Sequence, residues 1–273
     1  QTSVTFGLDS KRNISGLVNR KITDNLFIRA NYTNNYSNGF RNNRYMNTQD
    51  TNKKDEIFIR AKILFSPYDN LNINGTVISS RLNNGYDVWA PDNNDEFITF
   101  SDAMGEDSQT LDAVSFKFNY NVIDKFFVTG ISSISKAKLI HAYDGDWAND
   151  EYWLHNHGFD PAIEGWSYSF YDKNERNRNN FTQEFRISTQ KYIFGFYYKK
   201  LYEKDKASGY LFGGLGDEAN SRYDFENLAG YFQSDISLNE LLKMSANVRM
   251  EDFSYNYNGE TVDNYYYNDI PSV

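Results

Sequence analysis

The side chains best able to do chemistry gather between residues 136 and 180. All three histidines lie there, His141, His155 and His157, together with three of the four tryptophans. Within that stretch Asp144, Asp146, Trp147, Trp153, His155, His157, Trp166 and Tyr168 form the candidate ligand-contact set. Aromatic and imidazole rings can pack against a planar or catecholate ligand, and carboxylates can meet cations. The competing reading is an ordinary surface loop whose rings pack on one another. His155-Asn156-His157 offers two imidazoles to a transition metal, but no third ligand is evident, so no metal site is assigned. Asp92-Asn93-Asn94-Asp95-Glu96 and Asp144-Gly145-Asp146 are oxygen-rich, yet neither has the spacing of a calcium loop. Gly213-Gly214-Leu215-Gly216 follows no parallel strand into a helix, which removes a dinucleotide reading. An enzyme would need a nucleophile beside a base, or a carboxylate pair in a pocket. Neither is visible. The chain reads as a non-enzyme with no cofactor.

The elements that must position these residues are strands. From Glu56 to Ser80 the odd positions Ile57, Ile59, Ala61, Ile63 and Phe65 are apolar, between the charged Glu56, Arg60 and Lys62. Phe58 and Leu64 break the rule. Ser66-Pro67-Tyr68-Asp69-Asn70 makes a turn, and Leu71, Ile73, Gly75 and Val77 resume the alternation. A period of two is a strand with one apolar and one polar face, and two such runs joined by turn residues form an antiparallel hairpin. Each run is about ten residues, the length a tilted strand needs to cross a bilayer.

The rest of the chain repeats the unit. Val4, Phe6 and Leu8 open it, then Arg12 to Ile22, and Leu26 onward after Thr23-Asp24-Asn25. Val114, Phe116, Phe118 and Tyr120 alternate before Ile123-Asp124-Lys125, and Phe126 to Ser135 returns. Phe181 to Ser188 and Tyr192 to Tyr202 flank Thr189-Gln190-Lys191. Leu228 to Ile236, then Leu242 to Glu251, flank Leu238-Asn239-Glu240. Thr261 to Val273 reads as the start of one more strand or loop. Between hairpins lie long polar loops, about 34–55, 81–110, 136–180 and 203–222. Tight turns thus alternate with long loops, except for a short connection near Ser10-Lys11. About eleven or twelve strands are expected, and no helix. Short turns at one end and long loops at the other are the habit of an outer-membrane barrel.

Bulk properties agree. The mean hydropathy is −0.71, and no run approaches the roughly 18 apolar residues of a membrane helix; a barrel is not excluded, because only its alternate residues meet lipid. Aromatic residues make up 17%, enough to supply interfacial girdles. With no cysteine, a disulfide scaffold and a cysteine–zinc site are excluded. A net charge of −9 argues against nucleic acid as a partner. The opening Gln1-Thr2-Ser3 already alternates, so the chain reads as a mature or excised segment.

A sheet in hydrocarbon must close on itself to satisfy its backbone. The face opposite the apolar one carries Arg60, Lys62, Lys117, Glu184, Arg186, Lys243, Arg249 and Glu251. That is more charge than a solid core would bury, so these residues are expected to line a wide lumen holding water or a polar plug. The alternative is the wetted face of a soluble sheet.

Phe181-Thr182-Gln183-Glu184-Phe185-Arg186-Ile187-Ser188 with Tyr192-Ile193-Phe194-Gly195-Phe196-Tyr197-Tyr198 resembles a strand pair of TonB-dependent outer-membrane receptors. So does Gly230-Tyr231-Phe232-Gln233-Ser234-Asp235 with Leu241 to Arg249, although Asn247 stands where that family commonly has glycine. Val18 to Ile22 and Tyr32 to Phe40 look like its first barrel strands. The resemblance implies an all-β antiparallel transmembrane barrel of about 22 strands, with short periplasmic turns, long extracellular loops and an N-terminal plug. It also implies a place in the bacterial outer membrane, amid lipid and lipopolysaccharide. Such receptors import scarce nutrients, most often ferric siderophores, with energy from TonB. Residues 1–273 then read as the first half of the barrel domain, lacking the plug, the TonB box and the C-terminal strands. The alternatives are a stand-alone porin of about twelve strands for passive diffusion and a soluble adhesin-like β protein.

Overall fold

The computed structural model describes residues 1–216, 218–237, 239 and 241–259. Thr261 to Val273, and with them the last expected strand, fall outside the described residues, as do Leu238 and Glu240 of one expected turn. The strands are β1 (Thr2–Phe6), β2 (Arg12–Thr23), β3 (Leu26–Ser37), β4 (Asn42–Asn43), β5 (Lys54–Tyr68), β6 (Leu71–Gly85), β7 (Ile98–Thr99), β8 (Glu106–Ile123), β9 (Phe126–Asp144), β10 (Tyr171–Ser188), β11 (Tyr192–Leu211), β12 (Gly214–Leu215), β13 (Ala219–Ser237) and β14 (Lys243–Gly259). Eleven of them form one antiparallel meander in chain order, with β12 added to β11 and β4 paired with β7 apart from the sheet. Among the described residues β1 and β14 are its two free edges, so the sheet is an open part of a barrel. The expected strand count and the sorting of tight turns to one end hold.

Registry places the apolar residues of neighbouring strands side by side. One row runs Ala30, Ala61, Val77, Val114, Ile134 and Phe181, and another runs Gly130, Phe185, Phe196, Gly230 and Met250. None of the described residues forms a second layer over this face. Ile59 is 43% exposed, Phe116 46% and Met244 48%, while Ile73 is half-buried. Among the described residues only Ile98, Ala142, Ala148 and Ala229 are buried apolar side chains. A water-soluble fold of this size would bury its large aliphatic and aromatic side chains. Here they stay outside, while the backbone is satisfied by the ladders.

The strands outrun their apolar stretches. β8 to β11 and β13 hold 18 to 20 residues, or ~60 Å of strand. The segments expected as loops at 34–55, 81–110 and 136–180 are strand at both ends, and 203–222 is strand over most of its length. In water a ladder of backbone hydrogen bonds needs no apolar side chain, so hydropathy marks the end of the apolar band and not the end of the strand. The true connections at that end are 38–53, 86–105, 145–170 and the turn between β11 and β13. Phe212 and Gly213, both with positive φ, turn the chain from β11 into β12, as a two-residue hairpin of this hand requires.

Two glycines on inner strands carry a neighbour's ring. A Cβ on Gly130 would lie 2.1 Å from the Phe118 ring, and one on Gly195 would lie 1.9 Å from that of Tyr231. Phe118 and Tyr231 are their direct cross-strand partners. Gly195→Val is therefore expected to push Tyr231 off its 2.5 Å hydrogen bond to Glu184. The cost is about 1–3 kcal/mol, read as a lower temperature for loss of the compact, heat-modifiable form on gels. Unchanged melting would contradict this packing.

Candidate functional site

The connections at the long end pack into a continuous cap. Loops 38–53 and 86–105 join through the parallel pair β4 and β7. Beneath it Asp87, 5% exposed, accepts hydrogen bonds from Thr99 Oγ1 (2.6 Å), Ser101 Oγ (3.1 Å) and Asn43 Nδ2 (3.2 Å). Sequence reading did not single these residues out. Asn43 and Asp87 are 44 positions apart, and no local period links them.

Loop 145–170 holds two helices that sequence reading missed, α1 (Asp150–His157) and α2 (Pro161–Glu164). Neither presents an apolar stripe, so no 3.6-residue period was there to read. Their caps were visible. Asn149 Oδ1 accepts from Tyr152 N, acidic Asp150 and Glu151 fill the first turn, and Gly158 closes α1 in the left-handed conformation, each a favourable helix-end device. The Asn149 amide also reaches across to Phe100 O at 2.7 Å, tying this loop to its neighbour.

The eight candidate contact residues come together in part. Asp144 and Asp146 are buried and turned to the loop's own framework. The Asp146 carboxylate accepts from Trp153 Nε1 (2.9 Å) and Phe170 N (3.0 Å). Asp144 accepts from Asp102 N at 3.2 Å. Trp153 and Tyr168 meet edge to face at 4.7 Å, and Trp166 extends the ring cluster to Phe159 and Phe212. His157 packs on Trp153 at 5.0 Å. Trp147 stands apart from this cluster, stacked at 5.8 Å on Trp89 of loop 86–105. His155 places Nδ1 2.8 Å from Glu151 O. Two residues apart on α1, His155 and His157 face away from each other, and no group of three metal-ligating side chains occurs among the described residues. His141, expected in the loop, lies in β9 with its ring against Tyr86 at 4.7 Å. Trp89, Trp147, Trp166 and Tyr168 are open to solvent, as are Phe40, Tyr45, Phe97 and Phe212 around them. The site can thus offer aromatic faces on a carboxylate-braced scaffold, while its two buried aspartates are occupied.

Burial, reinforced by the neighbouring Asp146 and Asp102, pushes the Asp144 carboxyl up from 3.8 to about 8. Burial, then Asp146 and Asp150, lifts Asp102 to about 6. In the unfolded chain both ionise near 3.8. Below that pH each is protonated in both states and costs nothing. As pH rises toward 8 the unfolded carboxylates ionise freely while the folded loop resists, so the cap loses stability and the loss is complete above about 8. Protection factors of the amides of residues 145–170, exchange rates divided into the base-catalysed intrinsic rates, are expected to be higher at about pH 5 than at about pH 9, and Asp144→Asn is expected to remove most of the difference. Equal protection at both values would refute the burial of these groups.

The eight charged residues expected on the polar face lie on it in two groups, with two members apart. Glu184 and Arg186 pair through two 2.8 Å hydrogen bonds, with Tyr231 on the same carboxylate. Arg249 pairs with Glu251 and sits 5.8 Å over the Tyr231 ring. Lys62 and Lys117 line a second cleft with Arg29, Asn74 and Thr76. Arg60 lies opposite Asn31 and Ile78, and Lys243 opposite Ser237.

No protein-family model matches the sequence, and no curated protein sequence does either. Solved structures do. The ferric yersiniabactin uptake receptor FyuA from Yersinia pestis superimposes with a TM-score of 0.73 over 92% of this chain and 38% of its own, at 14% identity. The fold is that of the TonB-dependent receptor barrels. FpvA of P. aeruginosa, bound to pyoverdine and iron, matches at 0.60 over 96% of this chain and 38% of its own, with 8% identity. The ferric-catecholate import receptor Fiu from E. coli in its open form matches at 0.56 over 94% and 44%, with 12% identity. The chain spans about two fifths of the length of these receptor chains.

Proposed function

We propose that this chain is part of the barrel wall of a bacterial outer-membrane receptor that takes up a scarce nutrient, a ferric siderophore or another iron complex, with energy delivered by TonB through a plug domain. The observation that carries the reading is the uncovered apolar face. Ile59, Val114, Phe116, Ile134 and Met244 stand open on one side of a sheet whose other side is charged, an arrangement stable only against lipid. Solved barrels of the same fold include uptake receptors for ferric yersiniabactin and for ferric catecholates, which supports iron chelates as the ligand class. The exposed rings Trp89, Trp147, Trp166 and Tyr168 are the proposed ligand platform, with His155 and His157 at its rim. Asp144 and Asp146 shape the loop. The charged polar face lines the lumen, where Glu184, Arg186, Arg249 and Glu251 meet the plug or the passing ligand. No step requires catalysis by the protein.

The test is growth of a deletion strain on a panel of ferric chelates as sole iron source, in backgrounds with and without TonB. Loss of growth on one chelate, restored by the intact gene only when TonB is present, is expected. Uptake that survives loss of TonB would point to a passive porin instead.

A further inference from the structure

The loops that carry the aromatic cap meet along a seam whose base is acidic. Asp144 and Asp146, 5% and 4% exposed, lie within hydrogen-bond reach of each other. Asp144 also accepts from Asp146 N at 3.3 Å and, across the seam, from Asp102 N at 3.2 Å. The Asp102 N–H meets Ala148 O as well, at 3.1 Å, and Asn149 Nδ2 reaches Phe100 O at 2.7 Å. Next to these contacts in the chain, Trp147 stacks on Trp89 of the facing loop at 5.8 Å. Its φ is 63°, a conformation that a bulky residue keeps only where its surroundings impose it.

The groups that act on Asp144 and its neighbours are acids. Asp102 comes from loop 86–105, Asp146 and Asp150 from loop 145–170, and the phenols Tyr171 and Tyr210 from β10 and β11. Glu106 of β8 faces Tyr171, and Lys173, the cation acting on that phenol, is paired with Glu175 at 2.9 Å. Among the described residues none of Asp102, Asp144, Asp146 and Asp150 makes an ion pair.

Two buried carboxyls in contact, with no cation beside them, need a shared proton. An O–H on Asp144 donates to Asp146, whose oxygens also accept from Trp153 Nε1 and Phe170 N. Without that proton two carboxylates touch in a water-poor site, and Asp102 repels both from the other side of the seam. Ionisation strengthens the Asp102 N–H contact, but burial and repulsion outweigh that one bond. In the closed loops Asp102 and Asp144 therefore keep their protons to about 6 and about 8, whereas in parted, solvated loops both return toward 3.8. The penalty on the closed form begins near 3.8, grows as pH rises and is complete above about 8. Within that window each proton released on opening lowers the closed-to-open ratio about tenfold per pH unit.

We infer that Asp102, Asp144 and Asp146 form a proton-operated latch between loops 86–105 and 145–170, closed while Asp144 carries a proton and open once it ionises. Opening separates Trp89 from Trp147 and lets Trp147 leave its strained conformation. The rings of the two loops thus make one continuous aromatic face only in the protonated cap. The latch stands on the contacts between the loops. That it governs ligand capture rests on the reading of these rings as the ligand platform.

The test is the distance between the two loops in the full-length protein in detergent. Spin labels on Glu96→Cys and Glu164→Cys, both exposed positions, report it by pulsed electron spin resonance. One narrow distribution is expected at about pH 5, giving way at about pH 9 to longer distances and a closed fraction at least tenfold smaller. Asp144→Asn, whose neutral amide N–H replaces the O–H, is expected to stay closed at both values. Asp95→Asn removes an exposed carboxylate from loop 86–105 and is expected to open as the parent does. All should keep heat-modifiable gel mobility, the sign of a folded barrel. A parent distribution unchanged between the two pH values would overturn the latch. So would an Asp144→Asn protein that opens with the parent, or an Asp95→Asn protein that stays closed. None of these outcomes bears on the receptor reading, which the growth test decides.

Discussion

Val114→Arg is expected to weaken the folded barrel by about 2–4 kcal/mol if it lies near the bilayer midplane, while Ser115→Arg is expected to be mild. Val114 is 55% exposed on β8, an inner strand, between Val77 and Ile134 in register. In the outer membrane proposed above this side chain meets hydrocarbon, where a guanidinium must drag in water or bend toward the headgroups. Ser115 projects to the other side, between Thr76 and Ser133, where polar neighbours accept a charge. Urea titration in lipid vesicles, followed by tryptophan fluorescence, measures both variants. Similar losses for the two positions would show that the faces are assigned the wrong way or that no lipid is present. Val248 and Asn247 on β14 offer a second pair with the same expectation.

Asp146→Ala is the loop change with the largest expected effect. It leaves the Trp153 indole N–H and the Phe170 backbone N–H without their acceptor, each part-buried. An orphaned buried donor costs about 1–3 kcal/mol, so two would loosen the whole of 145–170 while the strands stay folded. Trp153 would leave its edge-to-face contact with Tyr168, and the exposed rings beyond it would lose their common orientation. If the proposed iron chelate is the ligand, affinity for it is expected to fall at least tenfold through that disorder, with expression and barrel melting close to the parent. Asp146→Asn keeps one acceptor oxygen and should recover much of the loss. If Asp146→Ala bound ligand as tightly as the parent, the ring cluster would not be the platform proposed here.

The contrast between these two residues shows where sequence reading succeeds. Val114 was legible because its environment repeats every second residue, and parity alone assigns it a face. Asp146 was legible only as an acidic residue among aromatics, suited to meeting a cation. Its acceptors' partners lie 7 and 24 residues away through a loop with no period, and the structure turns it inward. Asp87 carried no local signal at all. The helix α1 was marked by its caps and hidden by its lack of an apolar stripe. The ends of β9 and β10 were hidden for a related reason, since polar residues extend a ladder in water as well as apolar ones do.

By itself the order of residues determined the strand class, the meander, the two faces and the sorting of turns from loops. All of these follow from steric alternation along a strand and from short-range turn chemistry. Only the tertiary structure decided how far the strands climb past their apolar band, which loop aspartates are buried, and which rings remain open. Those outcomes depend on hydrogen bonds and ring contacts between segments distant in the chain, and no pattern of neighbours in sequence encodes them.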